Sequence, residues 1–449
     1  MDRTTLKGDF VNIIRKITDN CYYIPSIKRI AKCKNTMMED ELIQYISRKF
    51  CVEDKNPFIK TKEAYPIEIS LFPSIACSMK CSYCYYCSGE QNDSAKDLTR
   101  DQLDTIIDWL IKNSTVRKFV GKDNTIKVTL TGGGEPTFNW DNFRYFIDNL
   151  KNKADVRNID TYFILITNGV LTEKKIEYIC ENIDLIQISY DGNTVLQNNN
   201  RKLINGKGSA DYVENTMEML SQKGKKFCVR STIQSCDYDK IYEMTMNIFT
   251  RYKYAMTYHI EPMQYTGRGS DLQKDSLKDN NIFIDEYIRT KNEVMKSFPE
   301  KRFYSNLFEY KDIQIVCTSA SGGSVIIDNN GYLFPCSERL EIDKASIGSI
   351  KDGKVSMIND NFIEKEYKKM LKTECGNCMY FSLCAGGCFS SFKRNENGEL
   401  IDEGKVKCKL VKDFWERAYK ELAKSNEFLD MRLVKEESLN SWDIYSVVV

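Results

Sequence analysis

The chain carries 17 cysteines and a single histidine in 449 residues, and no other feature narrows its chemistry as far. With His259 as the sole imidazole, a histidine-rich zinc site or a triad needing several imidazoles is a poor fit. The cysteines are clustered. Three stand in Cys77-Ser78-Met79-Lys80-Cys81-Ser82-Tyr83-Cys84, a spacing that chance would place about 0.02 times in a chain of this composition. Seven more, Cys317, Cys336, Cys375, Cys378, Cys384, Cys388 and Cys408, gather in the last third. An odd number of thiols, with no export-like apolar stretch at the N-terminus, points to a reducing cytoplasm where thiols stay free or bind metal.

Lys+Arg 65 against Asp+Glu 64 leaves a formal charge of +1, which argues against a protein that coats nucleic acid or an anionic membrane. No run approaches the ~20 apolar residues of a spanning helix. From Tyr65 onward, short apolar runs alternate with amphipathic segments. Strands are expected at 66–72, 126–131, 162–167, 184–190, 226–233 and 257–263, and helices at 99–113, 139–152, 172–182, 209–223, 238–252 and 280–297. Six strands separated by helices read as βαβ units, hence an α/β fold with a parallel sheet or partial (β/α)6 barrel. Residues 1–64 read as a polar, helical N-terminal extension, 65–304 as the barrel, and 305–449 as a cysteine-rich unit with a C-terminal helix at 409–423. Gly331-Tyr332 reads as a hairpin turn.

Three thiolates on one loop can hold three irons of a [4Fe–4S] cube and leave the fourth open to a small molecule. Here the sequence resembles the radical S-adenosylmethionine (SAM) enzymes. In that family the open iron binds SAM, and reductive cleavage yields a 5′-deoxyadenosyl radical that removes a hydrogen from an unactivated carbon. The resemblance makes Cys77, Cys81 and Cys84 the catalytic cluster ligands and sets Tyr83 beside the adenine. Cys87 reads as a spare thiol, since a fourth ligand would exclude SAM. The second strand ends in Gly132-Gly133-Gly134-Glu135-Pro136, similar to the segment that holds SAM's amino group. By resemblance Ser189 and Asp191 lie near the ribose and Arg230 meets the SAM carboxylate. Asn168 ends the third strand at the same rim. Each has a plainer reading as a cap or turn residue, although a charge on an apolar strand such as Arg230 needs a partner. His259 beside Glu261 reads as a satisfied core histidine.

The later cysteines resemble the SPASM domain, with Cys317, then Gly331-x4-Cys336, then Cys375-x2-Cys378-x5-Cys384-x3-Cys388 and Cys408. A zinc ribbon is the competing reading. The resemblance implies two auxiliary [4Fe–4S] clusters, three in all. One would use Cys375, Cys378, Cys384 and Cys408, the other Cys317, Cys336 and Cys388. The second set is one short, because residues 318–323 hold no cysteine. Either Cys228 or Cys236 completes it, or one iron stays open to a substrate thiolate.

SPASM enzymes mostly act on peptides or proteins. The leading expectation is a cytoplasmic enzyme that matures a ribosomally made peptide by forming a thioether or a related crosslink. Its reductant would be of the flavodoxin or ferredoxin type, with no nucleic acid or membrane partner. The alternative is an anaerobic sulfatase-maturating enzyme that makes formylglycine. In those enzymes an aspartate follows the G-x4-C cysteine, where this chain has Ser337 and then Glu338. An iron–sulfur electron carrier is the third reading, disfavoured by the open three-cysteine site. Many peptide-modifying relatives begin with a winged helix containing three strands. None is evident in 1–64, so leader recognition is expected from a separate protein or from 265–315, with its Tyr265-Thr266-Gly267-Arg268-Gly269 loop.

Overall fold

Short apolar runs between amphipathic segments bury best as a sheet with helices against it, and the computed structural model has that arrangement. It describes residues 15–24, 29–34, 41–42, 44, 68–90, 96–113, 118–119, 122–272, 280–310, 319, 323–338, 345–357, 365–366, 369–388, 390, 392–439 and 441–449. Contacts divide the chain into two units. One comprises Lys62–Ser305 with Thr318–Ile363, and the other Met1–Thr61, Asn306–Cys317 and Glu364–Val449.

In the first unit the strands Glu68–Leu71, Thr125–Leu130, Asp160–Thr167, Leu185–Ser189, Phe227–Ile233 and Ala255–Pro262 pair in parallel in that order. A short seventh strand, Arg302–Tyr304, extends the parallel run. On the other side Ser324–Ile327 lies parallel to Glu68–Leu71 and starts an antiparallel meander through Tyr332–Phe334, Gly348–Lys351 and Lys354–Met357. The sheet is therefore an open, partial barrel of eleven strands. Gly331 does form the expected hairpin turn, in the left-handed region at φ +83°, where glycine is unstrained. Asp328 closes the turn by accepting from the backbone amides of Asn330 and Tyr332.

Burial alternates along Phe227–Ile233. Phe227, Val229, Ser231 and Ile233 are buried, while Cys228, Arg230 and Thr232 are half-buried on the opposite face. Register aligns Ser189, Arg230, His259 and Tyr304 in one row, and Gln187, Cys228, Thr257 and Arg302 in the next. A sheet face this polar is shaped to hold something other than a hydrocarbon core. His259 is satisfied within it: its Nε2 lies 2.7 Å from Glu261 and its ring stacks on Tyr304 at 4.5 Å.

The second unit differs from the helical reading of residues 1–64. Arg15–Thr18, Cys21–Ile24 and Arg29–Cys33 form an antiparallel sheet that continues through Trp442–Val448, Met431–Ser438 and Glu427–Phe428. Helix survives only at Glu41, Leu42 and Gln44 of the run 40–46; the rest of that run lies outside the described residues, as do 45–67. The strands escaped notice for a physical reason. All four residues of Cys21–Ile24 are buried, so no period of two shows, and the partner strand arrives from the far end of the sequence. Because Trp442–Val448 pairs with Arg29–Cys33, that edge is closed to strand addition. The C-terminal helix is longer than 409–423, running Asp402–Ser425, and it buries Phe414, Trp415, Ala418, Tyr419 and Leu422. Lys32 reaches its C-terminal carbonyls, with Nζ 2.7 Å from Ala423 O and 2.6 Å from Asn426 Oδ1, where a cation offsets the negative end of the helix dipole. No described helix is long and apolar enough to cross a membrane.

Candidate active site

Cys77, Cys81 and Cys84 lie on the loop after the first barrel strand, and the protein grips that loop from four directions. Segment 200–204 pairs with its backbone: Lys80 N donates to Lys202 O, Ser82 N to Asn200 O (both 2.8 Å), and Ile204 N to Ser78 O. The glycine run lies beneath it. A Cβ on Gly134 would meet Ala76 O at 2.3 Å, and one on Gly133 would strike the Tyr86 ring. At these two glycines the close approach expected of a ligand is made by the protein's own loop. From the third strand end, Asn168 Nδ2 donates to Ser78 Oγ at 3.1 Å and lies 3.5 Å from Cys77 Sγ. Finally, the Tyr265–Gly269 loop, read above as a possible leader site, braces the cysteines instead. Arg268 donates from its backbone to Cys84 O and from its guanidinium to Cys81 O and Ser88 O.

Burial pushes the Cys77 thiol up to about 12, with Asn168 and the Met79 amide pulling weakly the other way. Cys81 is likewise raised to about 11, although Arg201 and Arg268 oppose the shift. Thiols this reluctant to ionise become ligands when a metal replaces the proton. Cys87 has a left-handed backbone at φ +56°.

Glu135 is buried and fully engaged. Its carboxylate accepts from Thr137 Oγ1 (2.7 Å), Thr167 Oγ1 (2.9 Å) and the Asn168 amide (2.7 Å), and its own amide donates to Ala76 O. It ties the second and third strand ends to the cysteine loop, with Pro136 buried between it and Thr137. Burial raises its carboxyl, and these donors partly offset that.

Asp191 is only 1% exposed and is also taken up by the protein. It accepts from Tyr83 Oη, from Asn200 Nδ2 at 3.2 Å and from Arg201 Nε at 2.9 Å. A carboxylate offers about four lone-pair sites, so Tyr83, Asn200 and Arg201 take up most of Asp191's capacity and leave little for a ribose. Arg201 stacks 5.3 Å over the Tyr83 ring. Sequence reasoning missed Arg201 altogether and named Arg268 only as part of the Tyr265–Gly269 loop, not as a brace. A buried arginine twelve residues past a strand end carries a signal only once its partner carboxylate is known.

Arg230 departs from this self-satisfaction: among the described residues its Nε is buried without a hydrogen-bond partner, as are Ser82 Oγ on the cysteine loop and Arg268 Nε, the last with Glu90 at 3.1 Å. Ser189 stands beside it in register. Tyr85, 41% exposed, is near enough to feel Arg230, Glu338 and Cys84. Glu338 thus belongs to the same rim, its amide 3.5 Å from Cys336 Sγ. Tyr85 thus links Arg230 to Cys84, and an orphaned guanidinium N–H at the same rim as three thiols suits a ligand that has a carboxylate and also meets a cluster, so the residues present fit SAM and a three-cysteine cube.

In the other unit Cys375, Cys378, Cys384 and Cys408 line one cavity, walled by Tyr380, Phe381, Phe392, Leu400 and Val411. Tight turns aim the first three: Cys378 N donates to Cys375 O and Gly387 N to Cys384 O, with Ala385, Gly386 and Gly387 all at positive φ. Cys408 comes from the long helix. Burial and the neighbouring thiols push Cys384 up to about 12. Among the described residues no three His, Cys, Asp or Glu side chains close on one point as a single ion requires. Four thiols spread around a cavity suit a cube, which takes each at a different iron. Of the remaining set, Cys388 is exposed and Cys336 half-buried, while Cys317 lies outside the described residues. Cys228 hydrogen-bonds Thr257 on the polar barrel face, and the Cys236 thiol lies 3.5 Å from Asp237.

Residues 71–235 match the Radical SAM superfamily. The chain is 24% identical over 390 residues to a cysteine-type anaerobic sulfatase-maturating enzyme of Clostridium perfringens, covering 80% of this chain and 97% of that protein. It is 24% identical over 373 residues to a serine-type anaerobic sulfatase-maturating enzyme of Bacteroides thetaiotaomicron, covering 75% and 86%. The structure of native anSMEcpe with bound AdoMet superposes with a TM-score of 0.63 at 21% identity, over 80% of this chain and 100% of that one. Streptococcus suis SuiB bound to S-adenosylmethionine superposes at 0.53 and 16%, over 82% and 83%. On the loop, its surroundings and these likenesses together, residues 71–235 form a radical SAM domain, in a chain similar over most of its length to anaerobic sulfatase-maturating enzymes.

Proposed function

We propose that the enzyme binds SAM at the barrel rim and modifies a ribosomally made peptide or protein in the cytoplasm, forming a thioether or related crosslink. The observation that carries the reading is the orphaned Arg230 Nε, which shares Tyr85 as a neighbour with Cys84 of the tightly held three-cysteine loop. A [4Fe–4S] cluster on Cys77, Cys81 and Cys84 supplies the electron for SAM cleavage, received from a flavodoxin- or ferredoxin-type reductant. Arg230 pairs with the SAM carboxylate, and Ser189 beside it faces the ribose. Gly132, Glu135 and Asn168 shape the rim on which the SAM amino group rests, while Asp191 and Arg201 orient Tyr83 for the adenine. Two auxiliary clusters, one on Cys375, Cys378, Cys384 and Cys408 and one on Cys317, Cys336 and Cys388, complete the set. Joining a C–H carbon to a thiol sulfur removes two hydrogens, so one electron must leave beyond the abstracted hydrogen atom. The three-cysteine auxiliary set leaves a position for the substrate sulfur.

A second reading, oxidation of a substrate cysteine or serine to formylglycine, draws support from Glu338. It stands at the same rim as Arg230, through their shared neighbour Tyr85, and can act as a base where the related enzymes use aspartate. Intact-mass analysis of a cysteine-containing peptide encoded beside this gene, after anaerobic co-expression, separates the two. Loss of two hydrogens with a cysteine that no longer alkylates supports the thioether. An aldehyde captured by a hydrazide probe supports formylglycine. An unmodified peptide from a preparation that cleaves SAM overturns the assignment of that peptide as substrate.

A further inference from the structure

The four-cysteine cavity holds two cations for which the ligand set alone gives no reason. Arg394 donates from Nη2 to Cys375 Sγ at 3.3 Å and to Gly386 O at 2.7 Å, and from Nη1 to Gly398 O at 2.8 Å. Three bonds fix its guanidinium on the thiol. Lys412 lies one helical turn beyond Cys408 on Asp402–Ser425, the spacing that puts two side chains on one face. It lines the cavity, hydrogen-bonds the Cys408 thiol and acts on Cys375 and Cys378 as well. Glu374 is the one carboxylate in the lining, and Glu416 and Asp413, which also act on Tyr380, are paired with Lys420 and Lys409, so the local balance is positive. The rest of the wall is largely apolar, which strengthens every charge inside it. At the barrel rim the pattern differs. The polar side chain on Cys77 is the neutral Asn168 amide, and the guanidiniums near Cys81 are already paired, Arg201 with Asp191 and Arg268 with Glu90.

We propose that Arg394 and Lys412 raise the reduction potential of the auxiliary cluster held by Cys375, Cys378, Cys384 and Cys408. The inference rests on the ligand set proposed above. Reduction adds one electron to the cube and makes or breaks no bond. The added negative charge is stabilised by nearby cations and by N–H···S hydrogen bonds, which favours the reduced state. Both residues act through the cluster and touch no substrate, so they are positioning residues for charge.

The test is an EPR-monitored redox titration of the anaerobically reconstituted full chain, in a Cys77→Ala, Cys81→Ala, Cys84→Ala background that removes the rim cluster. The signal of this site is the one lost in an added Cys378→Ala, Cys408→Ala pair. Lys412→Gln should hold as much iron as its parent and shift the midpoint to more negative potential, and Lys412→Arg should return it toward the parent. Arg394→Gln should shift it the same way, but that residue also ties two backbone carbonyls, so Lys412 is decisive. An unchanged midpoint in Lys412→Gln at full iron overturns the tuning and leaves the ligand set standing. If the Cys378→Ala, Cys408→Ala pair keeps the parent's iron and signals, the ligand set is wrong and the inference falls with it.

Discussion

The two cysteine sites are built in opposite ways. At the barrel rim all three thiols come from one loop, eight residues long, and the fold spends Arg268, Asn168, the glycine run and segment 200–204 on holding it. In the other unit three thiols come from self-supporting turns and the fourth from a distant helix. There the charged side chains reach the thiols directly. At the rim most charges are spent on the protein itself, Arg268 Nε facing Glu90 at 3.1 Å, while Arg230 Nε is buried with no hydrogen-bond partner among the described residues. A site that must admit a ligand keeps a donor in reserve, whereas a site that only passes electrons can enclose its cofactor fully.

The sharpest way to break that contrast is to delete each site in turn. Cys77→Ala, Cys81→Ala, Cys84→Ala should abolish 5′-deoxyadenosine formation and remove about four of roughly twelve irons, read by chromatography and iron assay. Residual SAM cleavage would move the catalytic site elsewhere. Cys375→Ala, Cys378→Ala should lose a similar share of iron, keep SAM cleavage and stop peptide modification. If it also stopped cleavage, the two sites would not divide the work as described.

Next in size is the buried Asp191–Arg201 pair. Arg201→Ala strands a carboxylate that is 1% exposed, at a cost of ~3–5 kcal/mol, visible as a lower Tm. Removing both charges should cost less than removing Arg201 alone. Arg230→Gln should leave stability nearly unchanged but weaken SAM binding ~10- to 100-fold, as expected for a hydrogen bond to a charged group, measured by equilibrium dialysis. A destabilised Arg230→Gln with normal SAM affinity would mean that the orphaned donor serves the fold. The smallest effect is expected at Lys32→Ala, which loses the cap on the long helix and ~0.5–1 kcal/mol by denaturant midpoint, without loss of iron.

Much of the site was legible because it is local. A C-x3-C-x2-C loop, a glycine run at a strand end and an arginine on an apolar strand each state their chemistry within a few residues. Glu135 and Asp191 were legible as site residues but not in their roles. Both carboxylates turned out to be held by the protein's own hydroxyls, amides and a guanidinium, and those partners lie 2 to 108 residues away in sequence.

By itself the sequence determined the parallel order of the barrel and the positions of the thiols, because alternating strand and helix patterns and tight cysteine spacings are short-range properties. Tertiary structure alone decided the rest. Arg15–Thr18, Cys21–Ile24 and Arg29–Cys33 became strands in a sheet that Trp442–Val448 continues, Arg201 and Arg268 became clamps because folding brought acceptors to them, and Arg230 kept a free donor. In each case the deciding energy is the pairing of a buried polar group, and no local pattern records which distant residue will supply the partner.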